Sequence, residues 1–495
     1  MDAIAALPSR RSLTVYGPSA DALTLVSNIC VPLRVLVLHQ CGAGQTEFWH
    51  PAALEEFLSH LAPMLEKLAL YELIVDTDVL HTLGVTSRQR SGSGATQFPA
   101  VHSLSIGMLL GMPLLSHLQY LFPALDGTLS IGQFVFEDEE QTDADSLQAY
   151  ADLPAANLCA QGSLSDVLLV GDGSGSLSSC AWTKLDHVVC GALFFYLLGL
   201  RCPVRHVMLD FTIGHSLVFI QVATRTAEAL RENPIPRLKL SLVLNDGLGV
   251  FDALFSPELA GTLTHLTLCL SLVNDKMWST WRTPATPSRS GWMAFWSDKP
   301  RSALQVLHEL THLRIVVHSN TFDDSAPGHS PAAHSREFVH ALSAPTFDHE
   351  GSAVALDHSL PALQYVFLTT SGYLLIDIAT DDESTGGASR GSESSKTRER
   401  EQWQVAMAWH VAEHGHGDGA SGTQGGGELV LVELHDDVAE TIIRNEELIL
   451  SDLDKVSALA TWLGRSTVVC ELSLKLNVCS GTQAWTNNGV IEIDP

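Results

Sequence analysis

Apolar residues recur along the chain in one frame, Leu-x-x-Leu-x-Leu, usually just after a proline. The copies are VPLRVLVL (31–38), APMLEKLAL (62–70), FPAVHSLSI (98–106), CPVRHVMLDF (202–211), IPRLKLSL (235–242) and LPALQYVFL (360–368), with FPALDGTLSI (122–131) one residue out of step. Two copies without the proline are nearly identical, LTHLTLCL (263–270) and LTHLRIVV (310–317). Weaker ones lie at LSDVLLV (164–170), LVLVEL (429–434) and VCELSLKL (469–476). Three matched apolar positions arise by chance roughly eight times in a chain this rich in Leu, Ile and Val, so the hexamer alone proves little. Chance does not supply the proline: seven of the 21 sit just upstream of a copy. Proline fixes φ and has no N–H for a ladder, which suits the residue entering a strand. The last positions of each copy alternate with period two, as a half-buried strand requires.

Between the copies lie segments with helical character, HPAALEEFLSHLAPMLEKL (50–68), SPELAGTL (256–263) and DKPRSALQVLHEL (298–310). Ser256, Pro257 and Glu258 supply an N-cap, a proline at the first helical position and an acid in the first turn. The longest apolar run, Val188 to Leu200, predicts a buried core helix. Its 13 residues fall short of the ~20 that a membrane span needs. Strand, loop, helix and loop, repeated at irregular length, predict an α/β leucine-rich-repeat solenoid: a curved, mostly parallel sheet with helices and loops on its convex side. Each unit buries its apolar face only by stacking on its neighbours. The expected organisation is an N-terminal cap (1–30), the array (31–376), a mostly disordered low-complexity insertion (377–427) and C-terminal strands ending in a frayed tail (428–495). Within the insertion, one ordered segment is expected at QWQVAMAWHVAEH.

Composition narrows the function classes. The chain has 495 residues, 45% of them hydrophobic and 17% charged, enough for a large core. Its 56 acids against 28 bases leave a net charge of −28, which repels phosphate backbones and anionic headgroups. Neither nucleic acid nor a membrane surface is the expected partner. Nine cysteines are scattered without a C-x-x-C pair and predict buried thiols instead of a disulfide framework or zinc ribbon. No Asn begins an N-x-[ST] sequon, and the start, MDAIAALPSRR, lacks a basic n-region, so a cytoplasmic or nuclear protein is expected.

FPAVHSLSI, FPALDGTLSI, LPALQYVFL and the paired LTHL segments resemble the degenerate leucine-rich repeats of fungal F-box-type proteins, over roughly residues 30 to 370. The resemblance implies a substrate-receptor role in a cullin-type ubiquitin ligase, with an F-box docking the ligase adaptor and the repeats holding the substrate. It covers the repeat region only: after Leu7 and Pro8 come Ser-Arg-Arg-Ser, not the acidic and apolar residues that open an F-box helix.

Candidate chemistry is sparse, and no catalytic residue or cofactor is predicted. VLLVGDGSGS (167–176) lacks the third glycine of a dinucleotide turn, which would fall at Ser176, and no P-loop is present. His410 and His414 share a helical spacing, with His416 nearby, but this segment has no H-E-x-x-H and no metal site is predicted. Interaction residues stand out more. In the repeat frame the third and fifth positions, and the one after the sixth, point away from the apolar layer. They include Lys67 and Tyr71; His206, Met208 and Asp210; Arg237 and Lys239; His265 and Thr267; His312 and Arg314; Tyr365 and Phe367. Lys67, Arg237, Lys239 and Arg314 make this face basic for so acidic a chain, which points to an acidic or phosphorylated protein segment as partner. Trp278, Trp281, Trp292 and Trp296 form a second candidate, an aromatic loop able to anchor a partner. The expected function is a non-enzymatic protein-recognition scaffold. The alternatives are an α/β enzyme, a hydrolase or nucleotide-binding domain centred on 164–215, and a structural protein without a single partner.

Overall fold

The computed structural model describes residues 12–16, 32–39, 58–76, 97–110, 115–135, 153–155, 157, 182–211, 216–243, 249–255, 257–272, 303–320, 348–378, 397–413, 429–450, 482–486 and 489–493. The chain divides into two compact units, residues 1–239 with 463–495, and residues 240–462. Both are α/β, built on an open and mostly parallel sheet.

In the first unit, β1 (Ser12–Tyr16), β2 (Val35–His39), β3 (Lys67–Asp76), β4 (Ser103–Leu110), β5 (Thr128–Val135), β6 (Leu185–Gly191) and β7 (Val204–Asp210) lie side by side in chain order, all parallel. β15 (Gly489–Ile493) pairs antiparallel with β1, and β14 (Thr482–Thr486) closes that edge. Residues 12–16, expected to lie in a cap, are therefore a strand of the sheet. The helices are α1 (Leu115–Leu121), α2 (Ala192–Leu198) and α3 (Ser216–Glu232). β8 (Arg237–Val243) spans the division between the units.

The second unit contains α4 (Gly249–Leu254), α5 (Pro257–Ala260), β9 (His265–Leu272), β10 (His312–Asn320), α6 (His349–Asp357), β11 (Tyr365–Ile378), β12 (Thr397–Glu413), β13 (Leu429–Glu433) and α7 (Asp436–Asn445). β9, β10 and β11 are parallel, whereas β12 and β13 continue the sheet antiparallel. β12 contains residues 402–413 of the ordered segment expected within the low-complexity insertion and begins five residues before it.

The repeat frame explains why these segments pair. Its three apolar positions are buried in each described copy from 31 to 368: Leu33, Leu36 and Leu38 in the first, Leu263, Leu266 and Leu268 in a later one, Leu363, Val366 and Leu368 in the last of these, whereas in the weaker copy at 429–434 Val432 is 47% exposed. Parallel strands are evenly spaced, so equal positions of successive copies fall opposite one another, as Leu266 does to Leu313 and Leu313 to Val366. The backbone repeats as well: at the entry to each strand an N–H reaches the same carbonyl one copy back, Lys67 to Arg34 at 2.9 Å, His102 to Glu66 at 2.8 Å, His312 to Thr264 at 3.0 Å. Gly132 of β5, beside Gly107 of β4, has no room for a side chain, because a Cβ there would sit 2.6 Å from the Gly107 carbonyl oxygen.

One copy is hidden in the sequence. Leu185, Val188 and Cys190 occupy the three apolar positions in β6, so the run expected to be a single helix is instead a strand followed by α2. The β-branched Val188 and Val189 and in-register pairing with β5 and β7 decide the first half. Gly199, at φ 54°, terminates α2 in the left-handed conformation that glycine tolerates. Of the other expected helices, 256–263 holds α5, with Pro257 at its first position. The described part of 298–310 begins in a helical turn at 303–304 and breaks into turns, and 50–68 leaves a helix at 58 and runs as turns into β3. No helix among the described residues is long and apolar enough to cross a membrane.

Candidate functional site

The polar face of the first unit keeps part of what the sequence assigned to it. Lys67 is exposed, and Tyr71, 37% exposed, stacks on His39 at 4.7 Å. Burial of the His39 ring lowers its pKa to about 4. His206 is buried beside His187, with ring centroids 5.3 Å apart, and Asp210 and Met208 are half-buried. Arg237 is half-buried, but Lys239 is 3% exposed. Along the strand entries runs a row of side-chain pairs: Arg34 to Glu66 at 3.0 Å, His102 to Asp126 at 2.9 Å, and Arg205 to Asp186. The hydrogen bond from Arg205 holds the Asp186 carboxyl below its ordinary range.

In the second unit the same positions are arranged differently. Thr267, Arg314 and Phe367 are buried, and His312 is 9% exposed. The cover is α7 with the turn after it: Ala439, Ile443 and Leu448 pack with Phe367 and Ala408, flanked by Tyr365, Leu434 and Ile442. A basic, solvated surface was expected here. Arg314 instead donates from Nη1 to the Leu448 carbonyl at 2.6 Å, well away from any exposed role. The cause lies in 436–448, an amphipathic segment far downstream that carries no repeat signal.

This cover assembles the most concentrated group of side chains in the unit. Parallel pairing sets His265 beside His312 and His312 beside Tyr365, and antiparallel pairing sets Tyr365 beside His410. Strand spacing near 4.8 Å is also a ring-stacking distance. The rings accordingly form a row, with centroids 4.3, 4.9 and 5.0 Å apart, and the two imidazoles are within 7° of coplanar orientation. Glu446, just past α7, reaches the row: its Oε2 lies 3.0 Å from His265 Nε2. One ligand atom each from His265, His312 and Glu446 lie within 4.8 Å of one another. The repeated Leu-Thr-His-Leu motif places a threonine hydroxyl on each ring, Thr264 Oγ1 at 2.8 Å from His265 Nδ1 and Thr311 Oγ1 at 2.9 Å from His312 Nδ1.

The turn that presents Glu446 is built with some strain. Glu447 adopts φ 56°, a region that costs a non-glycine residue on the order of 1 kcal/mol. In exchange the Leu448 N–H closes back on the Ile443 carbonyl at 2.9 Å, a Schellman-type end, and the Leu448 side chain turns onto the sheet. Sequence reasoning missed Glu446, which lies 181 residues from His265. The available signal was the duplicated Leu-Thr-His-Leu.

His410 joins the ring row as part of β12, not a helix, so it has no helical spacing to His414. The four tryptophans of 275–300, the glycine-rich 171–176 and His414 and His416 lie outside the described residues. Cys190, Cys202 and Cys269 are buried free thiols, as expected, and burial raises the pKa of Cys202 to about 11. An open cleft of about 220 Å³ in the first unit lies against Phe195, Tyr196, Glu228 and Glu232. Its described lining brings no Ser, Cys or His to those carboxylates. No family model matches the chain, and no curated protein matches its sequence. Fold and site together define an α/β protein with open, mostly parallel sheets and a histidine–carboxylate cluster on the polar face of the second unit.

Proposed function

We propose that this chain is a non-enzymatic protein-recognition scaffold of the leucine-rich-repeat type. One observation carries the reading: in the described copies from 31 to 368 the three apolar positions are buried and the intervening positions fall in register on the opposite face, as a repeat protein requires to build an extended binding surface. The first unit offers that surface, with Lys67 and Tyr71 exposed and His187, Met208 and Asp210 half-buried across neighbouring strands. Lys67 and Arg237 supply positive charge for an acidic or phosphorylated protein segment, a role that burial denies to Lys239 and Arg314. The resemblance of its repeat copies to those of fungal F-box-type proteins suggests a specific form of the proposal, a ubiquitin-ligase substrate receptor in the cytoplasm or nucleus.

Affinity purification of the full chain followed by mass spectrometry tests this, with wild type compared against the double variant Lys67→Glu/Arg237→Glu. The expected result is a reproducible acidic or phosphorylated partner whose recovery falls at least tenfold in the variant, and co-recovery of a ligase adaptor for the receptor form. Recovery that is indifferent to the double charge reversal overturns the surface assignment.

A further inference from the structure

We propose that His265, His312 and Glu446 form a binding site for one divalent transition-metal ion of the zinc class. Two imidazoles and one carboxylate are a donor set that such ions take, whereas Ca²⁺ and Mg²⁺ favour oxygen ligands. The donor atoms are already gathered within 4.8 Å. Two donors about 2.0–2.2 Å from a tetrahedral ion stand roughly 3.3–3.5 Å apart, so binding requires the stacked rings to tilt and aim both Nε2 lone pairs at one point. Glu446 is one-third exposed and gives an ion an entry path, while His265 is 12% exposed and sheltered from competing water.

Hydrogen bonding prepares the rings. Thr311 Oγ1 lies 3.0 Å from the Thr264 carbonyl oxygen and 2.9 Å from His312 Nδ1. Donating to the carbonyl, it can accept from an Nδ1–H, which leaves the His312 lone pair on Nε2, a form in which histidine binds metal. His265 is held the same way through Thr264, whose hydroxyl both donates and accepts and so tolerates the change from an Nε2–H facing Glu446 to an Nε2 lone pair facing an ion. Two independent Leu-Thr-His-Leu copies thus build two ligands with matching orienting hydroxyls. The strained Glu447 backbone and the Arg314 bond to the Leu448 carbonyl fix the turn that delivers the third. Three protein donors leave a fourth position to water. Such an ion would tie the segment after α7 to β9 and β10 of the same unit, a property independent of what the first unit binds.

The test is titration of the full chain, stripped with a chelator, with Zn²⁺ by calorimetry and with Co²⁺ by visible absorption. One saturable equivalent is expected, with tetrahedral Co²⁺ bands and a higher thermal midpoint on loading. Affinity should fall at least tenfold in Glu446→Gln, which keeps the side chain's shape, and further in His265→Ala/His312→Ala. Thr311→Val should weaken binding less than loss of a ligand. No saturable Zn²⁺ binding by the wild-type chain, or undiminished binding by Glu446→Gln and by the double histidine variant, overturns the proposal. Should the double variant fail to fold, Glu446→Gln and the Co²⁺ spectrum decide the matter.

Discussion

Outward-facing repeat positions have different fates, set by what lies above them. Lys67 and Arg314 occupy third and fifth positions of their copies, yet one is exposed and the other 8% exposed with its guanidinium on a carbonyl. Removing a partner from a buried charge costs more than removing an exposed ion pair. Reversal at Arg314 would therefore report on folding before it reported on binding. His39 gives a cleaner residue-scale prediction. Its pKa drops from 6.5 to about 4 on folding because burial disfavours the imidazolium. Between those values the unfolded chain holds a proton that the folded chain does not. Its contribution to stability is complete above pH 6.5 and is lost as pH falls toward 4. His39→Phe keeps a ring against Tyr71 and should flatten the decline in thermal midpoint between pH 6.5 and 4.5. An identical slope in variant and wild type contradicts this.

At the scale of elements, α7 is the piece that departs from the repeat pattern. Its local chemistry is consistent: Asp436 and Asp437 in the first turn and Arg444 in the last complement the helix dipole, and His435 accepts from the Asp437 N–H at 3.4 Å. It still needs tertiary support, because a ten-residue helix is marginal in water by itself. Ile443, with Ala439 and Leu448, provides that support against Phe367 and Ala408. Ile443→Ala should cost about 2 kcal/mol, the low end for such a truncation because the site is at the rim of the cluster. Urea denaturation measures the loss, and hydrogen exchange should show it first in 436–448, with β9 and β10 protected as before. Uniformly raised exchange would show that α7 is not a separable layer.

Considered as a whole molecule, the chain returns on itself inside the first unit: β15 pairs Thr14 with Glu492, near the far end of the sequence. An uncovered strand edge is a template for another chain, and short added strands are one way to blunt it. Deleting residues 481–495 removes β14 and β15 and leaves the outer edge of β1 unpaired. The truncated chain should associate with rising concentration, as light scattering after size-exclusion chromatography would show. A monodisperse monomer would mean that β1 is protected by other means. Like charge opposes that association, since the chain carries −28, so added salt should promote it.

The sequence by itself determined most of the parallel strands. Apolar residues at fixed offsets, with a proline at the entry except in β9 and β10, mark β2 through β5 and β7 through β11, because a strand that buries one face must alternate and cannot hold proline in its interior. It could not mark β6, where Cys190 closes the frame and the apolar run continues without a break into α2. Nor could it separate exposed from buried outward positions, because periodicity says which face a residue is on and nothing about what covers that face. That was decided by tertiary structure: α7 and its turn lie on Arg314 and Phe367, and Glu446 arrives beside His265 from far along the chain. The duplicated Leu-Thr-His-Leu was legible as a repeat, but its two histidines became a cluster only when parallel pairing set them 4.3 Å apart and the turn after α7 supplied a carboxylate.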